Sequence, residues 1–159
     1  PAMLNEDYKE MLKLLLEESA SFMVVGAYAM AAHGFPRATG DLDIWVDPSP
    51  RNSKGVFRSL ARFGAPLTGV HENDFTLPGT VYQIGVVPRR IDIITSIDGV
   101  GYEEARPKAV VVDLEGLPVP VLSLDHLIKN KESTGRQKDA LDAKTLREQS
   151  KRGKTQKQG

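Results

Sequence analysis

The chain has 159 residues, 40% of them hydrophobic and 26% charged, which suits one globular domain with its own core and is too short for two. It holds no cysteine, which excludes disulfides, thiolate zinc sites and thiol nucleophiles and fits a reducing, cytoplasmic setting. The longest apolar stretch, around Phe22 to Ala32, is broken by Gly26, so no membrane span is expected, and no signal peptide opens the chain.

Pro1-Ala2 ahead of Met3 reads as the remnant of a cleaved tag, and the domain is expected over 3–150. Asn5 is placed to cap a helix over about 6–19, with Tyr8, Met11, Leu12 and Leu15 at helical spacing. Phe22 to Val25 reads as a buried strand ending at Gly26. Ala27 to His33 is alanine-rich and helical, stopped by Gly34 and Pro36. Asp41 to Val46 alternates as a strand, with Leu42, Ile44 and Val46 on one face and Asp41, Asp43 and Trp45 on the other. A helix over Ser53–Phe63 is followed by a long loop over 65–79, then by strands over Thr80–Val87 and Arg90–Thr95. Glu103 to Arg106 suits a short helical turn, and Lys108–Leu114 with Leu117–Leu122 a hairpin around Glu115-Gly116. Ser123 caps a helix to about Thr134, Gly135 breaks it, and a last helix runs from Arg136 to about Gln149. This order predicts an α+β domain with a largely antiparallel or mixed sheet.

The formal charge is zero but uneven. Residues 129–159 carry ten Lys/Arg against four Asp/Glu, leaving the body at −6. The basic end could attract a polyanion such as RNA or a triphosphate, yet residues 151–159 read first as a disordered, solvated basic tail.

The residues that point to chemistry are acidic. Asp41 and Asp43 leave the same face of one strand, with alpha carbons about 6.5–7 Å apart. Carboxylates that close repel and raise each other's pKa unless a cation lies between them, and hard oxygen ligands suit Mg²⁺. Gly26, between a strand and a helix, lets a ligand approach the backbone beside the first N–H groups of that helix. Asp92 sits between Ile91 and Ile93, so it either meets a cation or lies at an exposed sheet face. Three carboxylates and an anion cradle are the parts for metal-assisted phosphoryl chemistry.

Val25-Gly26-Ala27, a gap of thirteen residues, and then Asp41-Leu42-Asp43-Ile44, with Asp92 in a later apolar strand, resemble the nucleotidyltransferase superfamily. Arg37 and Thr39 fit the Arg-x-Thr-x-Asp-x-Asp pattern of one branch. Leu127-Ile128-Lys129-Asn130-Lys131 and Gly135-Arg136-Gln137-Lys138-Asp139, with Asp142, resemble the small stand-alone branch related to AbiEii-type toxins. The resemblance implies a polymerase-β-like palm: a small mixed sheet flanked by helices, with a C-terminal helix pair. It implies transfer of a nucleoside monophosphate from an NTP such as ATP to a hydroxyl on a tRNA end, a protein or a small molecule, in a toxin–antitoxin setting. Asp41 and Asp43 would hold Mg²⁺ (or Mn²⁺) on the triphosphate, and Asp92 would complete a second metal site and help activate the acceptor. Gly26 and Ala27 would contact phosphate, although Ala27 stands where the family has Gly or Ser and brings no hydroxyl. Arg37 would contact a phosphate or pair with one of the acids. Lys131 continues the apolar stripe of Leu124, Leu127 and Ile128, so it would reach the triphosphate or pair with Asp139. A rival expectation is a non-catalytic module that binds a nucleotide or a partner through a decayed site.

Overall fold

The computed structural model describes residues 5–35 and 40–158, the side chains of 153–158 excepted. Arg37 and Thr39, and the Pro1-Ala2 tag reading, lie outside the described residues. Helix α1 (Glu6–Glu17) begins as expected, with Asn5 Oδ1 accepting the Tyr8 N–H at 2.8 Å. Its Tyr8, Met11, Leu12 and Leu15 are buried. Strand β1 (Phe22–Val25) is buried at every position and runs directly into α2 (Gly26–Ala32). Strand β2 (Leu42–Val46) carries Asp43, with Asp41 immediately before it. Helix α3 (Pro50–Phe63) starts earlier than expected, because Ser49 caps it and Pro50 is pre-set for its first turn. Gly64 closes α3 in the left-handed conformation.

The expected long loop contains a 3₁₀ turn over Glu72–Thr76 that buries Phe75 against Tyr82. A single aromatic has no periodicity, so nothing local announces that turn. Strands β3 (Val81–Ile84) and β4 (Ile91–Ile94) follow, both shorter than expected. Gly85 turns the chain away at φ +86°, leaving Val86 and Val87 exposed. A short helix α4 (Tyr102–Ala105) leads to β5 (Val110–Leu114) and β6 (Leu117–Val121), paired around Glu115-Gly116. Ser123 caps α5 (Leu124–Ser133), and α6 (Gln137–Gln158) packs against it as the expected C-terminal helix pair.

Helix α6 continues past the expected end near 149, through most of the stretch read as a disordered tail. Lys, Arg and Gln are good helix formers, so a polar segment without an apolar stripe can still propagate a helix that packing has already started.

The six strands form one mixed sheet in the order β3-β4-β2-β1-β6-β5. Strands β2 and β4 are parallel neighbours, β1 is antiparallel to β2, and β6 is parallel to β1. Leu42, Ile44 and Val46 are fully buried, and so is Trp45 on the opposite face, which meets Tyr102 edge-on at 5.1 Å. Trp45 is therefore a packing residue. The architecture is α+β, a mixed sheet flanked by helices. Among the described residues no helix is long and apolar enough to cross a membrane.

Candidate active site

The site is set by two strand pairings. In the parallel pair, Asp43 of β2 lies directly across from Asp92 of β4; in the antiparallel pair, Asp43 faces Val25, the last residue of β1. Gly26 is thus the first residue beyond β1, and Asp43 leans against it. A Cβ built on Gly26 would fall inside contact distance of Asp43 Oδ2, and Gly26 has φ +69°, so sterics and backbone both call for glycine. The α2 turn that begins there has no side-chain cap. Its first N–H groups have no intrahelical partners, because helices always leave those donors free.

Tyr8 fastens the two acid-bearing strands together where they begin. Its hydroxyl donates to Gly40 O at 2.6 Å and lies 3.2 Å from Arg90 O, while Leu42 N–H donates to Arg90 O at 2.9 Å. Asp41 is drawn to the same place, since Arg90 N–H donates to its Oδ1 at 3.1 Å.

One functional residue was not anticipated from the sequence. The Arg90 guanidinium donates to both oxygens of Asp92, at 2.7 Å from Nε and 3.1 Å from Nη2, and its Nη2 lies 3.3 Å from Asp41 Oδ2. Arg90 is therefore a built-in cation bridging two of the three acids. The available signal was its position two before Asp92 on a strand, which puts both side chains on one face. Among the described residues no group of three or more His, Cys, Asp or Glu is placed to hold a metal, and Arg90 engages Asp41 and Asp92.

Asp43 receives least of this compensation. Burial, the neighbouring Asp92 charge and the hydrogen bond between the two carboxyls push its pKa up to about 7; Asp41 adds to the rise and Arg90 opposes it. A cation arriving at its oxygens would lower that pKa again and displace the proton to solvent.

These relations give a first testable expectation. Arg90→Met should lower stability at pH 8, where it leaves Asp41 and Asp92 without their cation, and by less at pH 4. Denaturant titrations at the two pH values measure this. Equal losses at both would mean that Arg90 acts by packing alone.

Beside Asp43 and Gly26 opens a cleft of about 420 Å³, lined by Val25, Gly26, Ala27, Asp43, the end of β4 and the segment after it (Ile94, Ser96, Ile97, Asp98), and the α5–α6 junction (Asn130, Lys131, Thr134, Arg136, Lys138). Asp41 and Asp92 stand outside its lining. Lys131 lines the same cleft as Gly26 and is paired with Asp139 at 3.2 Å and Asp142 at 3.4 Å. Asp139 also accepts from Thr134 and from Arg136, at 2.8 Å each. The structure therefore brings Gly26, Ala27, Asp43 and Lys131 around one cleft, with Asp41 and Asp92 beside Asp43.

Two solved structures resemble this chain over nearly its whole length. A candidate nucleotidyltransferase from Thermotoga maritima has a TM-score of 0.55 at 18% identity, over 94% of this chain and 96% of that one. The lincosamide antibiotic adenylyltransferase LnuA, crystallised with lincomycin, has a TM-score of 0.52 at 12% identity, over 92% and 98%. The chain has a nucleotidyltransferase fold. Neither a family model nor a curated protein matches it in sequence. Asp43 and Asp92 lie on two neighbouring parallel strands of this fold, and the cleft opens beside Asp43.

Proposed function

We propose that the chain is a metal-dependent nucleotidyltransferase that moves a nucleoside monophosphate from an NTP to a hydroxyl acceptor. The observation that carries the reading is the Asp43–Asp92 pair, set side by side on parallel strands and pressed against a glycine that opens a helix at the mouth of the cleft.

The residues present fit a divalent ion. Mg²⁺ is commonly held by one or two carboxylates plus substrate phosphates, so three converged acids are not required beforehand. Asp43 is the under-compensated carboxyl of the site, and a cation at its oxygens removes the repulsion that raises its pKa. Asp43 and Asp41 would hold the ion, with Asp92 reaching a second one. When bound, such an ion supplies charge neutralisation on the phosphates and on the leaving pyrophosphate.

Gly26 and Ala27 offer backbone N–H groups to the phosphates, and Ala27 provides no hydroxyl. The acceptor oxygen bonds to the α-phosphorus, the bond to pyrophosphate breaks, and the hydroxyl proton passes to Asp92. Lys131, pre-oriented by Asp139 and Asp142, reaches the phosphates across the cleft. Lys131→Ala should weaken NTP binding by about tenfold, the equivalent of one charge-assisted hydrogen bond, whereas Lys129→Ala, which touches only Glu104 at the surface, should leave it unchanged. Equal effects of the two on NTP affinity by calorimetry would remove Lys131 from the site.

The test of the function is incubation with each labelled NTP, Mg²⁺ or Mn²⁺, and RNA, protein or small-molecule fractions of a lysate. Label in one fraction names the acceptor. The resemblance of residues 127–142 to AbiEii-type toxins makes a tRNA end or a protein the first acceptors to try. A second reading draws on the ion pairs of Arg90 with Asp41 and Asp92: a module that binds a nucleotide or partner without transferring anything. Stabilisation by an NTP with no label in any fraction would favour it.

A further inference from the structure

The nucleoside half of the cleft has its own construction. With phosphates at Gly26 and Ala27, the rest of the lining comes from the α5–α6 junction and from the end of β4 with the segment that follows it. There Ile94 and Ile97 are half-buried apolar side chains, and Asp98 stands exposed beside them. Apolar side chains against the faces of a planar ring and a few placed polar groups at its edge are the usual composition of a base subsite.

Asp98 is held in place through its backbone. Asn130 Nδ2 donates to Asp98 O at 3.0 Å, tying the segment to α5. The next residue, Gly99, has φ +76° and packs so closely on α5 that a Cβ there would collide with Ser133 Oγ, which itself donates to Lys129 O at 2.6 Å. Ile97 and Val100 bridge the turn. The carboxylate of Asp98, by contrast, has no hydrogen-bond or ion-pair partner among the described residues. The backbone of this segment is thus fixed by the fold, while the Asp98 carboxylate is left uncommitted at the cleft.

Resting on the proposed transferase activity, we infer that Asp98 reads the edge of the nucleobase and selects guanine. An ionised carboxylate is acceptor-only, with two oxygens that take two parallel N–H donors. Guanine offers that pair on neighbouring atoms, N1–H and the 2-amino group. Adenine and cytosine each set one amino group beside a ring acceptor, and uracil flanks its single N–H with two carbonyls, so each of them turns at least one acceptor towards the carboxylate. The donor nucleotide is GTP.

The test is equilibrium binding of ATP, GTP, CTP, UTP and xanthosine triphosphate, with Mg²⁺, to the wild type and to Asp98→Asn. Wild type should bind GTP about tenfold or more tighter than the others, as expected for one to two charge-assisted hydrogen bonds. In Asp98→Asn an amide replaces the carboxylate and matches the 2-carbonyl of xanthine, so GTP affinity should fall about tenfold and xanthosine triphosphate should become the preferred ligand. The melting temperature should not move, since only the backbone of Asp98 supports the fold. Equal wild-type binding of the four common nucleotides, or an equal loss for all of them in the variant, would overturn the base assignment and leave the transferase reading intact. Binding of none of them would overturn the transferase reading itself.

Discussion

Asp43→Asn should abolish transfer, by about 1,000-fold or more, while making the nucleotide-free protein more stable at pH 8. The two effects come from the same carboxyl. Its pKa rises from 3.8 in the free side chain to about 7 in the fold, because it is buried beside Asp92. The native state therefore keeps a proton that the unfolded chain has released over that interval. Stability is fully present below the unfolded pKa and is lost as pH rises through the folded one. Asparagine has the same shape and no proton to lose, so the variant should not share the decline. At pH 8 it should be more stable than wild type by about 2 kcal/mol, less than the full shift implies because the carboxyl is partly screened by solvent. Urea denaturation of both proteins from pH 4 to pH 8 measures the difference. A wild type whose stability is flat across the window, or a variant that declines in parallel, would refute the burial account of Asp43.

Gly26→Ala should cost about 2–4 kcal/mol and about 100-fold in transfer. Part of the cost is backbone, since a left-handed φ in an L-residue is worth about 1–2 kcal/mol. The rest is contact: the new methyl group would press on Asp43 Oδ2 and turn the carboxylate away from the cleft. A misplacement of about 1 Å at a reacting group can cost about 100-fold in rate. The two parts separate in a double-mutant cycle. In an Asp43→Ala background the collision is gone, and Gly26→Ala should cost only the backbone part. Costs that simply add would show that Gly26 and Asp43 do not touch in solution.

Much of the fold was legible locally. Alternation placed β2, and the Asn5 and Ser123 caps marked where α1 and α5 begin. The order of elements announced a mixed α+β sheet. Those features are short-range: a cap acts over three residues and a strand repeats every two. The chain also carried its acids openly, because Asp41, Asp43 and Asp92 stand out against apolar strand neighbours. What missed was of another kind. The Phe75 turn forms because a partner from β3 waits for the ring, and α6 outruns its apolar stripe because helix formation, once begun, continues through residues of good propensity.

The sequence by itself singled out Asp41, Asp43 and Asp92 as candidates and placed Gly26 directly after the first buried strand. It could not say that Asp43 and Asp92, 49 positions apart, are direct neighbours, since strand order and register depend on contacts between distant segments. Nor could it say which cation meets the acids. Arg90 holds Asp41 and Asp92, and Asp43 is left with a raised pKa, only because a parallel register brings β4 alongside β2. Lys131 was legible as an inward lysine from its helical spacing, but its place in one cleft with Gly26 required α5 to pack against α2 and α6. Local patterns determine local geometry. Charge neutralisation and cleft shape are sums over residues that meet only after the chain has folded, so the tertiary structure alone decides them.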